Sequence, residues 1–275
     1  MSRLDQQPLR VGIGGLGTVG LPVAKWLDGG GVKGLVLAAV SAADKGRAQE
    51  RITGFTTDVP VVDLAMLAET CDVVVEAAPP QFFQAIAEPA IKAGRIFIPL
   101  SVTSLLEHMD LVDLADETGA RIIVPSGALL GLDAVRAASR GTINSVTMVT
   151  RKPPGGLKKA VFVIEQGIDL DGLTEPKLLY QGTVTEAAAK FPANVNVAVA
   201  LGLAGIGPDN TAYEIWADPG VTRNTHTIKV DADTASFEMT IANVPTEDNP
   251  ATGKLVALSV METLESLVAT FKVGT

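Results

Sequence analysis

Leu9-Arg10-Val11-Gly12-Ile13-Gly14-Gly15-Leu16-Gly17-Thr18-Val19-Gly20 is the stretch that decides the fold. Leu9–Ile13 is a short, mostly apolar run, the pattern of a buried strand, and it passes directly into glycines. Gly15, Gly17 and Gly20 stand at the G-x-G-x-x-G spacing of a dinucleotide-binding turn. Each glycine answers a different need: Gly15 a tight turn, Gly17 close approach of the pyrophosphate to the backbone, Gly20 close packing of helix on strand. A helix opening near Thr18 would turn free N–H groups and a positive dipole end towards the phosphates. The motif alone is a weak signal. Its context strengthens it, because a helical stretch, Leu21–Leu27, and a second aliphatic strand, Leu35–Val40, complete a βαβ unit.

The end of that second strand is where a dinucleotide-binding fold reads the adenosine ribose, and Ser41 stands there. A neutral residue does not repel a 2′-phosphate as a carboxylate does, and Lys45 and Arg47 follow closely. Asp44 through Arg47 also suit the start of a helix, with Asp44 as its cap. The expected cofactor is therefore NAD or NADP.

Outward from this unit the alternation continues. Strands are expected at Val73–Val75, Ile96–Ile98 and Arg121–Val124, and helices at Phe82–Ala93, with a kink at Pro89, and at Leu111–Thr118. Alternating elements imply an α/β fold of Rossmann type, a doubly wound parallel sheet with ligands at the carboxyl ends of its strands. Ala77, Ala78, Pro79 and Ser101 fall on that edge, and Ala78 is a candidate cofactor contact.

After Pro125-Ser126-Gly127-Ala128 the character changes. Ser145–Thr150, Tyr213–Ala217, Thr225–Val230 and Ala235–Ala242 read as strands, the last two as a hairpin across Asp231–Thr234. Helices interrupt them near Thr185–Lys190 and Val195–Ala204. This is the pattern of a second, α+β domain with a mostly antiparallel sheet. Asn249-Pro250 opens a last helix carrying Leu255, Leu258, Met261, Leu264 and Leu267. The expected division is a dinucleotide-binding domain over 1–127 and a catalytic and oligomerisation domain over 128–249, with helix 250–275 packing back on the first.

Composition narrows the function. The 275 residues are 47% hydrophobic, 19% charged and only 4% aromatic, so the core is aliphatic and globular. A net charge of −9 without a basic run argues against nucleic acid. The single cysteine, Cys71, rules out an internal disulfide and a thiolate metal cage, and no metal site is expected. Met1–Arg10 is polar, unlike a signal peptide, and charges interrupt every apolar stretch before it reaches membrane-spanning length. The expectation is a cytoplasmic protein without a membrane partner. An alternating sheet with one free face suits a homodimer or homotetramer.

Several segments, in order along the chain, resemble the L-aspartate dehydrogenase family. They are Pro125 through Ala134, Thr150-Arg151-Lys152-Pro153-Pro154, Phe191 through Ala198, Ala217-Asp218-Pro219 with Arg223-Asn224-Thr225-His226, and Asn243 through Pro250. The resemblance implies NAD(P)-dependent oxidation of aspartate to iminosuccinate, or the reverse amination of oxaloacetate. It places the catalytic histidine at His226, a nicotinamide-side asparagine at Asn196, and a cofactor contact at Ala128 or Leu130. Ser101-Val102-Thr103-Ser104 departs from the Ser-Val-Gly-Ala-like loop expected of the family.

The residues themselves support part of this. Hydride transfer from an amine needs one proton carrier, and histidine is suited to it near neutral pH. Only His108 and His226 exist, and His108 sits in the charged run Glu107-His108-Met109-Asp110, as a solvated residue would. A dicarboxylate needs cationic partners, for which Arg151, Lys152 and Arg223 are the candidates and Lys190 a further one. Two other readings stay open, a dehydrogenase of another small amino or 2-oxo acid and a non-enzymatic dinucleotide-binding regulator.

Overall fold

A computed structural model describes residues 7–192, 195–249 and 252–274. They fall into two units, the first running to Gly127 and taking in Val256–Val273, the second spanning Ala128–Leu255.

The first unit runs β1 (Leu9–Gly14), α1 (Gly20–Asp28), β2 (Leu35–Ser41), α2 (Lys45–Ile52), α3 (Met66–Thr70), β3 (Val73–Glu76), α4 (Phe83–Lys92), β4 (Ile96–Pro99), α5 (Val102–Glu107), α6 (Asp110–Thr118) and β5 (Arg121–Ile122). The five strands form one parallel sheet in the order β2-β1-β3-β4-β5. A single parallel bridge from Val40 to Val61 extends it beyond β2. Strand alternation sends neighbouring residues into two cores. Val11, Ile13, Val73, Val75 and Ile98 pack with Val23, Ala24 and Leu27 of α1 on one face. Ala39, Val74 and Phe97 pack with Ile86, Ala90 and Ile91 of α4 on the other. Helices on both faces make the sheet doubly wound, and β1 lies where the order reverses.

The second unit runs α7 (Leu132–Ala138), β6 (Ile143–Lys152), α8 (Val161–Glu165), β7 (Lys177–Thr183), α9 (Val184–Lys190), α10 (Asn196–Ala204), β8 (Thr211–Ala217), β9 (Asn224–Ala232) and β10 (Ser236–Asn243). Its sheet has the order β10-β9-β6-β8-β7, and only β6 and β8 are parallel. Thr183 and Glu186 form a reciprocal capping box that starts α9.

Three expectations change. Ser101–Ser104 is not an open loop: Val102, Thr103 and Ser104 are buried in the first turn of α5. The last helix, α11 (Leu255–Ser266), begins after Asn249 rather than at it, and Pro250 lies outside the described residues. Its buried positions are Ser259, Val260, Thr263 and Leu264, while Leu258 is exposed. A strict three-residue ladder drifts around a helix of 3.6 residues per turn, so its leucines cannot all face one core. Val260 and Leu264 join the core around β1 and α1.

Candidate active site

The glycine turn meets the demands of a dinucleotide. Gly15 has φ +105°, and a Cβ there would lie 2.4 Å from the Ala77 carbonyl oxygen. A Cβ on Gly20 would lie 1.8 Å from the Gly15 carbonyl oxygen, so helix and turn touch at that point. A Cβ on Gly17 would meet nothing within 4 Å. The backbone at Gly17 is open to an incoming group, and that is the approach a pyrophosphate requires.

Ser41, expected at the ribose position, is tied to main-chain groups. The side chain is buried, and its hydroxyl donates to the Val62 carbonyl at 2.8 Å, while its own carbonyl accepts from Gly15 N at 2.7 Å. Ser41 therefore joins the glycine turn to the segment at Val62. Asp44 caps α2 through Arg47 N at 3.0 Å, and Lys45 pairs with Asp63 at 2.6 Å. Arg47 is exposed on the first turn of α2. Arg51 reaches back to donate to the Leu16 carbonyl inside the glycine turn.

In the second unit one sheet face gathers the candidate residues. Val146, Met148, Thr150 and Lys152 of β6, Tyr213, Ile215 and Ala217 of β8, and His226, Ile228 and Val230 of β9 are all buried. Thr150 and His226 are direct cross-strand partners, and Thr150 Oγ1 lies 3.0 Å from His226 Nδ1. Tyr213 is completely buried in the same face; the Thr150 hydroxyl lies beside its phenol, which makes no hydrogen bond. Lys152 is 6% exposed and His226 4%. Burial holds the His226 imidazole down to about 3, and the positive charge of Lys152 pushes the same way. Burial also lowers the Lys152 ammonium to about 8. At neutral pH the pair is a neutral imidazole beside a mostly charged amine.

Arg151 already has a protein partner. Alternation turns it to the opposite face of β6 from Lys152. There its guanidinium pairs with Asp218 at 2.9 Å and lies 4.8 Å over the Trp216 ring. Lys190 likewise lies over the Tyr180 ring at 4.7 Å. Arg223 is exposed just before β9. His108 is half-buried rather than solvated, with Nδ1 2.9 Å from the Ser104 carbonyl oxygen.

Ala78 is half-buried at the carboxyl edge of the first sheet, and its N–H points to the Glu76 carboxylate at 3.2 Å. Ala128 and Leu130 flank buried Leu129, and the Ala128 carbonyl accepts from Asn243 Nδ2 at 2.9 Å. Asn196 is the first residue of α10. Sequence reasoning missed Thr150, Tyr213, Glu76 and Asn243. Cross-strand register was the only signal that could have joined Thr150 to His226, and register is invisible in a single strand.

The comparisons bear on this arrangement. Residues 133–267 match the family model described as aspartate dehydrogenase, C-terminal, and residues 15–125 match the homoserine dehydrogenase NAD-binding domain. The L-aspartate dehydrogenase of Bradyrhizobium diazoefficiens is 53% identical over 97% of this chain and 94% of its own. The chain belongs to the L-aspartate dehydrogenase family. L-aspartate dehydrogenase 3 of Bordetella bronchiseptica is 51% identical over 98% of this chain and 99% of its own. Among solved structures, aspartate dehydrogenase from Thermotoga maritima shares the fold of this family member with a TM-score of 0.72, at 23% identity, over 97% of this chain and 99% of that one. The chain is an NAD(P)-dependent oxidoreductase.

Proposed function

We propose that the chain interconverts L-aspartate and iminosuccinate with NAD or NADP, and so connects aspartate with oxaloacetate and ammonia. The observation that carries this reading is the buried Thr150–His226–Lys152 group in a chain 53% identical to an L-aspartate dehydrogenase. Gly15, Gly17 and Gly20 receive the pyrophosphate, Ala78 lies at the edge beside them, and Ala128, Leu130 and Asn196 contact the nicotinamide half. Ser41 supports the turn from behind.

The nicotinamide ring, when bound, supplies the acceptor for the Cα hydrogen. Every other task falls to side chains. The substrate amine must lose a proton before its carbon can become an imine. His226 is the base: its imidazole is neutral, and in the tautomer whose Nδ1–H donates to Thr150 Oγ1 the Nε2 lone pair takes the proton. Once that proton has passed to solvent, the same nitrogen takes a proton from the water that adds to the iminium carbon and returns it to the departing ammonia. The Lys152 ammonium pairs with one substrate carboxylate in a site where few waters compete, and exposed Arg223 meets the other. Two carboxylates brought beside Lys152 and His226 raise the pKa of both. The dicarboxylate thereby keeps the Lys152 ammonium charged and makes the neutral His226 imidazole a stronger base.

The substrate and oligomerisation roles belong to the second unit, the dinucleotide role to the first. The reading includes a homodimer or homotetramer in the cytoplasm, and no helix among the described residues is long and apolar enough to cross a membrane. The test is His226→Ala, assayed with aspartate and NAD(P) and with oxaloacetate, ammonia and NAD(P)H. Turnover should fall roughly 10²–10⁴-fold, the range for a positioned acid or base, with cofactor affinity unchanged. Near-full activity of the variant would reduce His226 to a strand residue. Wild-type binding of NADH without turnover of aspartate would favour the other amino-acid or regulatory readings.

A further inference from the structure

Glu76, the last residue of β3, is fully buried and has no part in the chemistry above. Its Oε1 accepts from Ala78 N at 3.2 Å and from the Ser101 hydroxyl at 3.1 Å. Its Oε2 accepts from Ser101 N at 3.0 Å and, at 3.2 Å, from Leu100 N, which also donates to the Glu76 main-chain carbonyl at 3.0 Å. Burial raises the carboxyl pKa and these four donors oppose the rise. Three of the four are backbone N–H groups, which cannot accept a proton, so the shell is built for the ionised form. Ser101 is the N-cap residue of α5, yet its hydroxyl makes no cap bond and turns to Glu76 instead. One carboxylate thus joins the loop after β3 to the loop after β4.

The position of those loops gives the bond a purpose. In this topology a bound dinucleotide would set its adenosine over β2 and its pyrophosphate over the glycine turn, and its nicotinamide half would extend the other way, towards the ends of β3 and β4. Ala77 is held to the glycine turn independently, by Ala77 N donating to the Gly14 carbonyl at 2.8 Å and by close packing on Gly15. The pyrophosphate side of the edge therefore does not depend on Glu76. The Ala78 and Ser101 side does.

We propose that Glu76 is a positioning residue that holds the loops after β3 and β4 together as a preformed wall for the nicotinamide half of the cofactor. It rests on the dinucleotide site and not on aspartate as the substrate. Glu76→Gln keeps the shape but replaces one acceptor oxygen with a donor, which strands one backbone N–H of the four-donor shell. The full-length protein is titrated with NADH by fluorescence and with ADP-ribose, which lacks nicotinamide, by calorimetry. Wild-type binding of both ligands checks the cofactor reading separately. Glu76→Gln should weaken NADH about tenfold, as expected for one lost bond to a charged group, and change ADP-ribose by less than about twofold. Ser101→Ala removes one bond and keeps the charge, so it should weaken NADH alone by about threefold. Equal losses for both ligands, or no loss for either, would overturn the proposal. Should Glu76→Gln fail to fold, Ser101→Ala decides by the same two titrations.

Discussion

Thr150 Oγ1 stands 3.0 Å from His226 Nδ1 because β6 and β9 pair these two residues directly. The bond orients the ring. Thr150→Val keeps the volume and removes the hydroxyl, so kcat should fall about tenfold with NADH affinity unchanged, the cost of about one hydrogen bond. Thr150→Ser should restore most of the loss. Imidazole 15N shifts should report a single tautomer in the wild type and a mixture in the valine variant. Wild-type kcat in Thr150→Val would leave the bond a packing detail.

Lys152 is held as a buried amine at a cost in stability. Its folded pKa of about 8 lies below the ordinary 10.5, so between these values the unfolded chain binds more protons. Wild-type stability should therefore rise as pH climbs from about 8 towards 10.5. Lys152→Met should lose that slope and gain on the order of 1–3 kcal/mol at pH 7, seen in urea melts, while activity collapses. Succinate, a dicarboxylate without an amine, should bind wild type less tightly above pH 8, where the ammonium is lost. A destabilised Lys152→Met variant would show that the lysine supports the fold instead.

Gly17 and Gly20 should respond differently to added side chains. Gly17 has no neighbour within 4 Å of a Cβ, so Gly17→Val should fold while filling the space the pyrophosphate needs, and NADH affinity should drop at least about a hundredfold. Gly20→Ala would put a methyl 1.8 Å from the Gly15 carbonyl oxygen and should lower the melting temperature. Unaltered NADH titration of a folded Gly17→Val protein would remove the turn from the cofactor site.

Arg47, exposed on the first turn of α2, offers a test of cofactor choice. Because the Ser41 side chain is buried against Val62, Ser41→Asp should destabilise the protein rather than switch its preference. Exposed Arg47 remains to meet a 2′-phosphate, and Asp44 is engaged as the α2 cap. The wild type should use both NAD and NADP, and Arg47→Ala should raise KM for NADP about tenfold with little change for NAD. Equal effects on the two cofactors would place the phosphate elsewhere.

The first unit was legible because its signals are local. A strand, a glycine turn and a helix within Leu9–Leu27 specify a βαβ crossover, and aliphatic runs such as Val73–Val75 read as buried strands. β7 and the helices α3, α7 and α8 were missed, as was α5. The four helices span five to seven residues, too short to show a full amphipathic period.

His226 and Lys152 could be named as candidates from the sequence, since there are only two histidines and few cations in the resembling segments. Residue type, spacing and local pattern act within one stretch of chain, and they determined the parallel sheet and the dinucleotide turn and named His226 as the candidate proton carrier. The tertiary structure alone decided which neighbours those residues have. Pairing β6 with β9 put Thr150 on His226, alternation turned Arg151 to Asp218 and Lys152 inward, and the ends of β3 and β4 met at Glu76. The physical reason is that burial and register are long-range properties. Sequence names a lysine or a serine; only packing decides whether its charge is desolvated to a pKa of about 8, or its hydroxyl is closed against the carbonyl of Val62.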